Sequence, residues 1–417
     1  MDTAQAQGAL PAGALAGLRV LDLSRVLAGP WSGQLLADLG ADVVKVERPG
    51  AGDDTRAWGP PWLTDDQGQP TAESAYFMSA NRNKRSVAID IAKPEGQALV
   101  RRLAEQADIV LENFKVGGLA QYGLDYASLK ELNPRLIYCS ITGFGQSGPY
   151  AKRAGYDFLI QGMGGLMSLT GRPDGSEGEG PLKVGVALTD VMTGLYATIA
   201  VLAALAHRER SGVGQHIDLA LLDVQIASLA NQAANYLVGG IVPKRMGNAH
   251  PSIVPYQDFP TADGYMIIAV GNDGQFAKLA ATLGHPEWSA DERFRTNPER
   301  VRHRDELIAQ IRAVTATRTT DEWVAAMEAA GVPCGPINTL DRVFADPQVQ
   351  ARGVRVDMAH PLADKVSLVA NPIRMSESPV QYRRPPPMLG EHTGDVLSDW
   401  LDIDDAQVEE LRRKQVL

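Results

Sequence analysis

Cysteine is scarce in this chain: Cys139 and Cys334 are the only two in 417 residues. The first lies in a run that reads as a buried strand and the second in a Pro/Gly-rich turn. Neither a disulfide framework nor a zinc site is indicated, and a reducing cytoplasm fits. The seven histidines are scattered, with no HExxH and no pair at ligand spacing, so a metal mechanism has little support and no metal site is expected. No stretch approaches the roughly 18 consecutive apolar residues of a membrane span, and no membrane partner is expected. Positive charge is not in excess either. A formal net charge of −10 argues against nucleic acid, while local basic pockets remain available for phosphorylated ligands. The opening Met1–Gly17 has no Lys or Arg and no signal-like apolar core, and reads as a loose tail.

What is present reads as an ordinary globular balance, 44% hydrophobic and 22% charged. Its length exceeds what one core usually supports, so two domains are expected. After Gly17, LRVLDLS reads as a strand, AGP (Ala28 to Pro30) as a turn, WSGQLLADLG as a helix ending at Gly40 and ADVVKVE as a second strand. SVAIDI, an amphipathic helix from KPEGQ, DIVLEN and RLIYCSITGFG, which has the apolar character of a parallel strand buried on both faces, continue the alternation. Helices are expected near Asp157–Leu169 and Thr189–Arg210, then a strand QHIDLAL. The class is α/β, with helices covering a mostly parallel sheet. From Ile241 the grammar changes to a hairpin, PYQDF and YMIIAV, and helices, one of them opened by the capping-box spacing of Thr319 and Glu322 and stopped by Gly331. The expected layout is a tail (1–17), a large domain (18–228), a smaller α+β domain (229–331) and a return to the large one (332–417).

Three segments carry candidate chemistry. GFGQSG (Gly143 to Gly148) matches a dinucleotide fingerprint, which would make the protein an NAD(P)-dependent oxidoreductase. However, Pro149 and YAKRAG stand where a helix should open, so a glycine-rich loop is the better reading. Its amides could still meet a phosphate or a thioester oxygen. Asp190, in KVGVALTDVMTGLYA, stands at the start of an apolar helix. The plain account is that Thr189 or Asp190 is an N-cap. A carboxylate there is also a candidate nucleophile, held ionised by the helix dipole and opposed by burial. ERPGAGDDTR (Glu47 to Arg56) reads first as a solvated loop, with a mixture of Arg, Gly and Asp that would suit a nucleotide. His250 stands in a turn-like segment.

Together LRVLDLSRVLAGP, GADVVKVERPGAGDDTR, NRNKRSVAID, ENFKVGGLAQYGLDY, YCSITGFGQSGP, ALTDVMTGLYA and PPPMLGEHTGDVL resemble the class III CoA-transferase family, the formyl-CoA and carnitine CoA-transferase type. The resemblance spans nearly the whole chain after the tail. Within the family, ERPGAGDDTRAWGPP, AANYL and AHPSIVPYQ look like the branch that moves CoA between succinate and glutarate or hydroxymethylglutarate.

That resemblance implies a Rossmann-like large domain built from both chain ends, an inserted smaller domain and an interlocked homodimer. It implies an enzyme with no tightly bound cofactor, whose partners are an acyl-CoA and a small carboxylic acid. The family's nucleophile falls on Asp190. Its CoA contacts fall on Val26, Leu27, Ala28, Arg48, Ile89, Asp90, Ile91, Ala92, Asn113, Phe114, Lys115, Tyr156 and Asp157. Oxyanion or substrate contacts are expected at Gly143, Gly145, Gly247, Asn248 and Ala249, with Arg48, Arg56 or Arg153 as cation for a substrate carboxylate. Two positions depart from formyl-CoA transferases, Leu27 for a glutamine and Gln121 for a CoA-binding arginine. The first disfavours oxalate or formate; the second leaves a phosphate contact to Arg153 or Lys115. An α-methylacyl-CoA racemase is the alternative within the fold, but it needs a histidine where Tyr156 stands, and tyrosine is a poor base at neutral pH. Hydrolysis of an Asp190 intermediate and a non-catalytic CoA-binding role are further readings.

Overall fold

Val20 and Leu21, Val43 and Val44, Ile109 and Val110, and Ile137 and Tyr138 are neighbouring pairs that face opposite sides of one sheet, so both faces must be covered. The computed structural model describes residues 13–417. Its sheet contains β1 (Arg19–Asp22), β2 (Asp42–Glu47), β3 (Lys84–Ala88), β4 (Ile109–Glu112), β5 (Ile137–Thr142) and β6 (His216–Ala220). All neighbours are parallel, in the order β6-β5-β4-β1-β2-β3. In doubly wound sheets of this order, ligands collect at the carboxyl ends of the strands, where the direction of winding reverses between β1 and β4.

One face is covered by α1 (Ala28–Asp38), α3 (Asp157–Met163) and α4 (Leu188–Ser211), through Leu36, Ile160, Ala197 and Val201. The other is covered by α2 (Pro94–Gln106), through Leu99 and Leu103, and by two helices from the far end of the chain. Trp400 and Val408 in those helices join the same core. After α4 come β6 and two further helices, α5 (Leu221–Ala227) and α6 (Ala230–Gly239). The closing pair is α7 (Thr393–Leu401) and α8 (Asp405–Arg413).

The contacts divide the chain into two units. The large one takes the chain up to Leu166, Val184–Gly240 and Arg352–Leu417; the small one takes Met167–Lys183 and Ile241–Ala351. The small unit therefore begins after α6 rather than at 229, extends past 331 to Ala351, and includes a segment from before α4. In it, Tyr256–Pro260 and Tyr265–Ala269 form the expected hairpin, with Cys334–Pro336 as a third antiparallel strand. Cys334 is thus in a strand, not a turn. The capping box is present: Thr319 and Glu322 satisfy each other's backbone at the start of helix Thr320–Ala330, and Gly331 ends it in the left-handed region.

Several local expectations are corrected. Residues 1–12 of the expected tail lie outside the described residues. Gly13 and Leu15 are packed on the large unit, with Leu15 N donating to Leu39 O at 2.9 Å. AGP is the first turn of α1, where Pro30 has no intrahelical donor to lose. The helix from Asp157 stops at Met163, because Gly165 takes a φ of 88°. Contrary to the expectation of no long apolar run, α4 is by length and composition able to cross a membrane, the one such helix among the described residues. Half of its apolar window is buried, against α1 and β5.

Gly194 allows α4 to approach α1 closely. A Cβ there would stand 2.7 Å from Ala28 O and 2.9 Å from Trp31 Cβ. Gly194 lies one turn after Asp190, on the same face of α4. Gly194→Ala should therefore destabilise, because forcing the helices apart costs about 1–3 kcal/mol. That outweighs the gain of about 1 kcal/mol from replacing a helical glycine. Urea unfolding checks the sign, and a variant more stable than wild type would contradict this packing.

Candidate active site

Asp190 is the third residue of α4, and the residue preceding the helix, Ala187, has no side chain able to cap it. Neither Thr189 nor Asp190 is the N-cap. The cap comes from another helix: Asp157 Oδ2 accepts from Thr189 N at 2.8 Å and from Asp190 N at 3.3 Å. Asp157 is held in turn by Gln161, whose Nε2 donates to its Oδ1 at 2.6 Å and whose Oε1 accepts from Val184 N at 3.0 Å. Thr189 Oγ1 is occupied by Gln225 at 2.6 Å. The helix start is thus tied down on every side except at the Asp190 carboxylate, which receives no hydrogen bond among those formed by the described residues.

Sequence alone left burial and the helix dipole opposed. In the structure burial prevails and, with repulsion from the Asp157 carboxylate, pushes Asp190 up from 3.8 to about 7. Tyr76, in the one-turn helix Ala75–Met78, feels the same charges. Burial raises its pKa first, and the Asp190 and Asp157 charges add to that, so it stays a neutral hydroxyl near Asp190. Its ring meets Trp58 edge-on, with centroids 5.2 Å apart. Tyr76 was missed by the sequence reading, because nothing in its one-turn segment marks it.

Asp190 lines a cavity of about 180 Å³ at the carboxyl ends of the strands. Four segments contribute: Arg25–Ala28 after β1, Asn113–Val116 after β4, Ile141–Gly143 at the end of β5 and Ala151–Tyr156 before α3. Gly143 and Gly155 pass so closely that a Cβ on the first would lie 2.6 Å from the second's Cα, which requires glycine at both. Cations ring the opening. Arg25 pairs with Asp54 at 3.2 Å and lies over Phe114, and Arg153 lies over Tyr150 and Phe144 with no ion pair among the described residues. Lys115 and Lys152 complete the set. Arg25 and Lys152 had not been singled out in the sequence. No histidine lines the cavity.

Of the expected contacts, Val26, Leu27, Ala28, Asn113, Phe114, Lys115, Tyr156, Gly143 and Arg153 line this cavity with Asp190. Asp157 stands behind it as the cap. Arg48 and Ile89–Ala92 lie outside it, directly after β2 and β3 on the same carboxyl edge of the sheet. Two expectations fail. Arg56 is buried and fully engaged, by Glu47 and Glu73 at 2.8 and 3.0 Å, by Pro387 O and by the face of Phe77, so it is not free for a substrate. Gly145 is no oxyanion donor, because its N–H is taken by Thr142 Oγ1 and the next amide, of Gln146, by the Asp218 carboxylate. Those bonds also leave GFGQSG with an acid where a pyrophosphate would sit, and no helix opens from it before Asp157. Gly247, Asn248 and Ala249 belong to the small unit, where Ala249 N bonds Met246 O. Gln121 bonds back to Gly118 O outside the cavity. Among the described residues no group of three or more His, Cys, Asp or Glu could hold a metal ion.

A family model described as CoA-transferase family III matches residues 15–393. The succinate–glutarate CoA-transferase of Agrobacterium fabrum is 56% identical over 385 residues, covering 92% of this chain and 95% of its own. The human succinyl-CoA:glutarate CoA-transferase is 45% identical over 397 residues, covering 95% and 88%. A crystal structure of a CAIB/BAIF family protein from Brucella suis superposes with a TM-score of 0.84 at 54% identity, covering 93% of this chain and all of that one.

The raised Asp190 pKa has a stability consequence of definite sign. Between about pH 4 and 7 the unfolded chain has released a proton that the folded chain retains, so stability falls as pH rises through that window and levels off above it. Asp190→Asn should remove this component, so that its urea midpoint exceeds wild type at pH 8 by more than at pH 4. Asp157→Asn keeps an oxygen to receive the Thr189 N–H but removes the repelling charge, so it should lower the pKa seen in the pH–rate profile. Parallel pH–stability curves for wild type and Asp190→Asn would show that Asp190 is not perturbed.

Proposed function

The chain belongs to CoA-transferase family III, and we propose that it moves CoA from a dicarboxylic acyl-CoA such as succinyl-CoA to glutarate or hydroxymethylglutarate, with Asp190 as the nucleophile. The observation that carries this is a carboxylate without a hydrogen-bond partner, on a capped helix end, opening into a cavity ringed by cations. With its pKa raised to about 7, Asp190 titrates near neutral pH, where its ionised form can attack a thioester and its desolvation keeps the carboxylate reactive.

Asp190 Oδ adds to the thioester carbonyl and the C–S bond breaks, leaving an aspartyl anhydride and CoA thiolate. The thiolate attacks the Asp190 carbonyl of the anhydride and expels the donor acid as carboxylate, which leaves Asp190 as a CoA thioester. The acceptor carboxylate attacks that thioester to form a new anhydride and thiolate. The thiolate then takes the acceptor acyl group and frees Asp190. Overall one thioester is exchanged for another of similar energy, so no nucleotide is consumed. The tetrahedral oxygens need donors, each typically worth about 3–4 kcal/mol. Gly143 at the cavity wall and the neutral Tyr76 hydroxyl are candidates.

In this reading Val26–Ala28 and Asn113–Lys115 hold the CoA end nearest Asp190, and Arg48 with Ile89–Ala92 extend the track along the sheet edge. Arg153, Arg25, Lys115 and Lys152 divide between the CoA phosphates and the distal carboxylate that distinguishes a diacid. Leu27 gives the cavity an apolar wall, which suits methylene chains better than oxalate. Racemisation is disfavoured, because Tyr156 is 66% exposed and no histidine is at hand to act as a second base.

An interlocked homodimer, with a Rossmann-like large domain, is part of the same proposal. Ile199 on α4 is 62% exposed, and Leu237 and Val238 on α6 are 79% and 90% exposed. Apolar surface of this kind marks an interface. Two free cysteines support a cytoplasmic setting.

Mass spectrometry of the protein mixed with succinyl-CoA tests the reaction. A CoA-sized adduct is expected on the Asp190 peptide, discharged by glutarate as glutaryl-CoA and absent from Asp190→Ala. Loss of the nucleophile should lower turnover by on the order of 10⁴-fold or more. Unchanged turnover in Asp190→Ala would end this assignment.

A further inference from the structure

Val26 is β-branched, yet its φ is 71°. Side chains of that shape are genuine outliers in the left-handed region, which glycine alone occupies freely. The residue lies in the cavity wall between Arg25 and Leu27, two positions before the start of α1. Its N–H donates to both carboxylate oxygens of Asp53, at 3.2 Å each.

Asp53 does not line the cavity, and it is itself rigidly held. Thr55 donates to its Oδ1 through both N and Oγ1, at 3.0 and 2.8 Å, and its own N–H bonds Glu47 Oε2 at 2.9 Å. It forms an ion pair with Lys45 Nζ at 2.9 Å, with neither side chain exposed. Lys45 Nζ also donates to Ser24 O at 2.7 Å. One ammonium therefore grips the turn on both sides of Arg25: at Ser24 directly and at Val26 through Asp53. Burial alone would raise the Asp53 pKa, yet the Lys45 charge and the Thr55 donors bring it down to about 2, so the carboxylate stays ionised throughout the working range. A neutral side chain could not accept the same set of bonds as strongly.

We propose that Asp53, anchored by Lys45, is a positioning residue that holds Val26 in the left-handed region and thereby sets where Leu27 and Ala28 stand beside Asp190. This rests on the reading of the cavity as the acyl-CoA site. Backbone held in an unfavourable region persists only where its surroundings enforce it, and it concentrates at functional sites. Without the carboxylate, Val26 relaxes to an ordinary extended or helical backbone and takes the turn with it.

A double-mutant cycle between Asp53→Asn and Val26→Gly in the full chain tests this, read by calorimetric CoA affinity, KM for succinyl-CoA and kcat. Asp53→Asn alone should weaken CoA binding and raise KM by on the order of ten- to hundredfold, the scale set by an unfavourable backbone region. kcat should change much less. Against a Val26→Gly background the same Asp53→Asn step should have an effect within about threefold, because glycine needs no holding. Equal effects in both backgrounds, or a lower urea midpoint with KM unchanged, would leave Asp53 a structural ion pair only and overturn the proposal. Val26→Gly and Val26→Ala provide a check that needs neither Asp53→Asn nor any turnover. Glycine should give the higher urea midpoint of the two, since alanine retains the strain, and the reverse order overturns the proposal. If wild type exchanges no thioester, the reading of the site fails while this comparison still decides whether Val26 is held under strain.

Discussion

A carboxylate removed from water without a compensating charge is among the least favourable groups a fold can carry, and the large unit is arranged around one. The contrast with its other buried acids is direct. Asp22, Glu47 and Asp53 are more deeply buried still, but Lys84, Arg56 and Lys45 stand against them and hold them ionised. Asp190 forms no ion pair among the described residues, and burial, with repulsion from the Asp157 carboxylate, raises its pKa. Holding such a group requires rigid surroundings: a helix start capped by Asp157, a close approach to α1 at Gly194, and strand ends that bring four segments to one place. The reactivity proposed for Asp190 and its cost to stability have the same cause.

The paired charges have a different role. Replacing buried ion pairs by apolar groups is often neutral, whereas removing one partner is destabilising by about 3–5 kcal/mol. Lys45 and Lys84 add little net stability, then, but they narrow the conformations open to the turns they touch. Lys84 illustrates the balance: burial brings its pKa down to about 8 although Asp22 lies 2.9 Å away, and it still finds Pro30 O and Asn81 Oδ1. These ammoniums sit beneath the β1–α1 turn and fix its shape from inside the sheet.

The parallel sheet was legible in sequence because strands buried on both faces are predominantly apolar without alternation, as the fully buried Ile137–Thr142 shows, and because amphipathic α2 has a helical period. The capping box at Thr319 was legible because both partners lie within one turn. What escaped depended on contacts between distant segments. The cap on α4 comes from Asp157, 32 residues before Thr189. Arg56 looked available for substrate until its surroundings, Glu47, Glu73 and Phe77, closed over it. Cys334 followed a Pro/Gly signal that is local, while its strand is defined by pairing with Ile268. Tyr76 has no local signature, since its relation to Asp190 exists only in three dimensions. The position proposed for the nucleophile, Asp190, came from the resemblance of its surrounding motif; its electrostatic state could come only from packing.

The closing helices α7 and α8 cover a face of strands β1–β5, the last of which ends at Thr142, more than two hundred residues before α7 begins at Thr393. Val396, Leu397, Trp400 and Val416 fill that layer, and Val416 O accepts the Asp90 N–H at 2.8 Å while Lys93 Nζ reaches the Lys414 and Gln415 carbonyls. A ribosome emits the chain in order, so β1–β5 emerge with one side covered only in part, by α2, and remain so while most of the small unit is made. During that interval the nascent sheet offers a wide apolar surface to whatever is near. Residues 393–417 close it, and removing them would leave the part of the molecule made first unfinished.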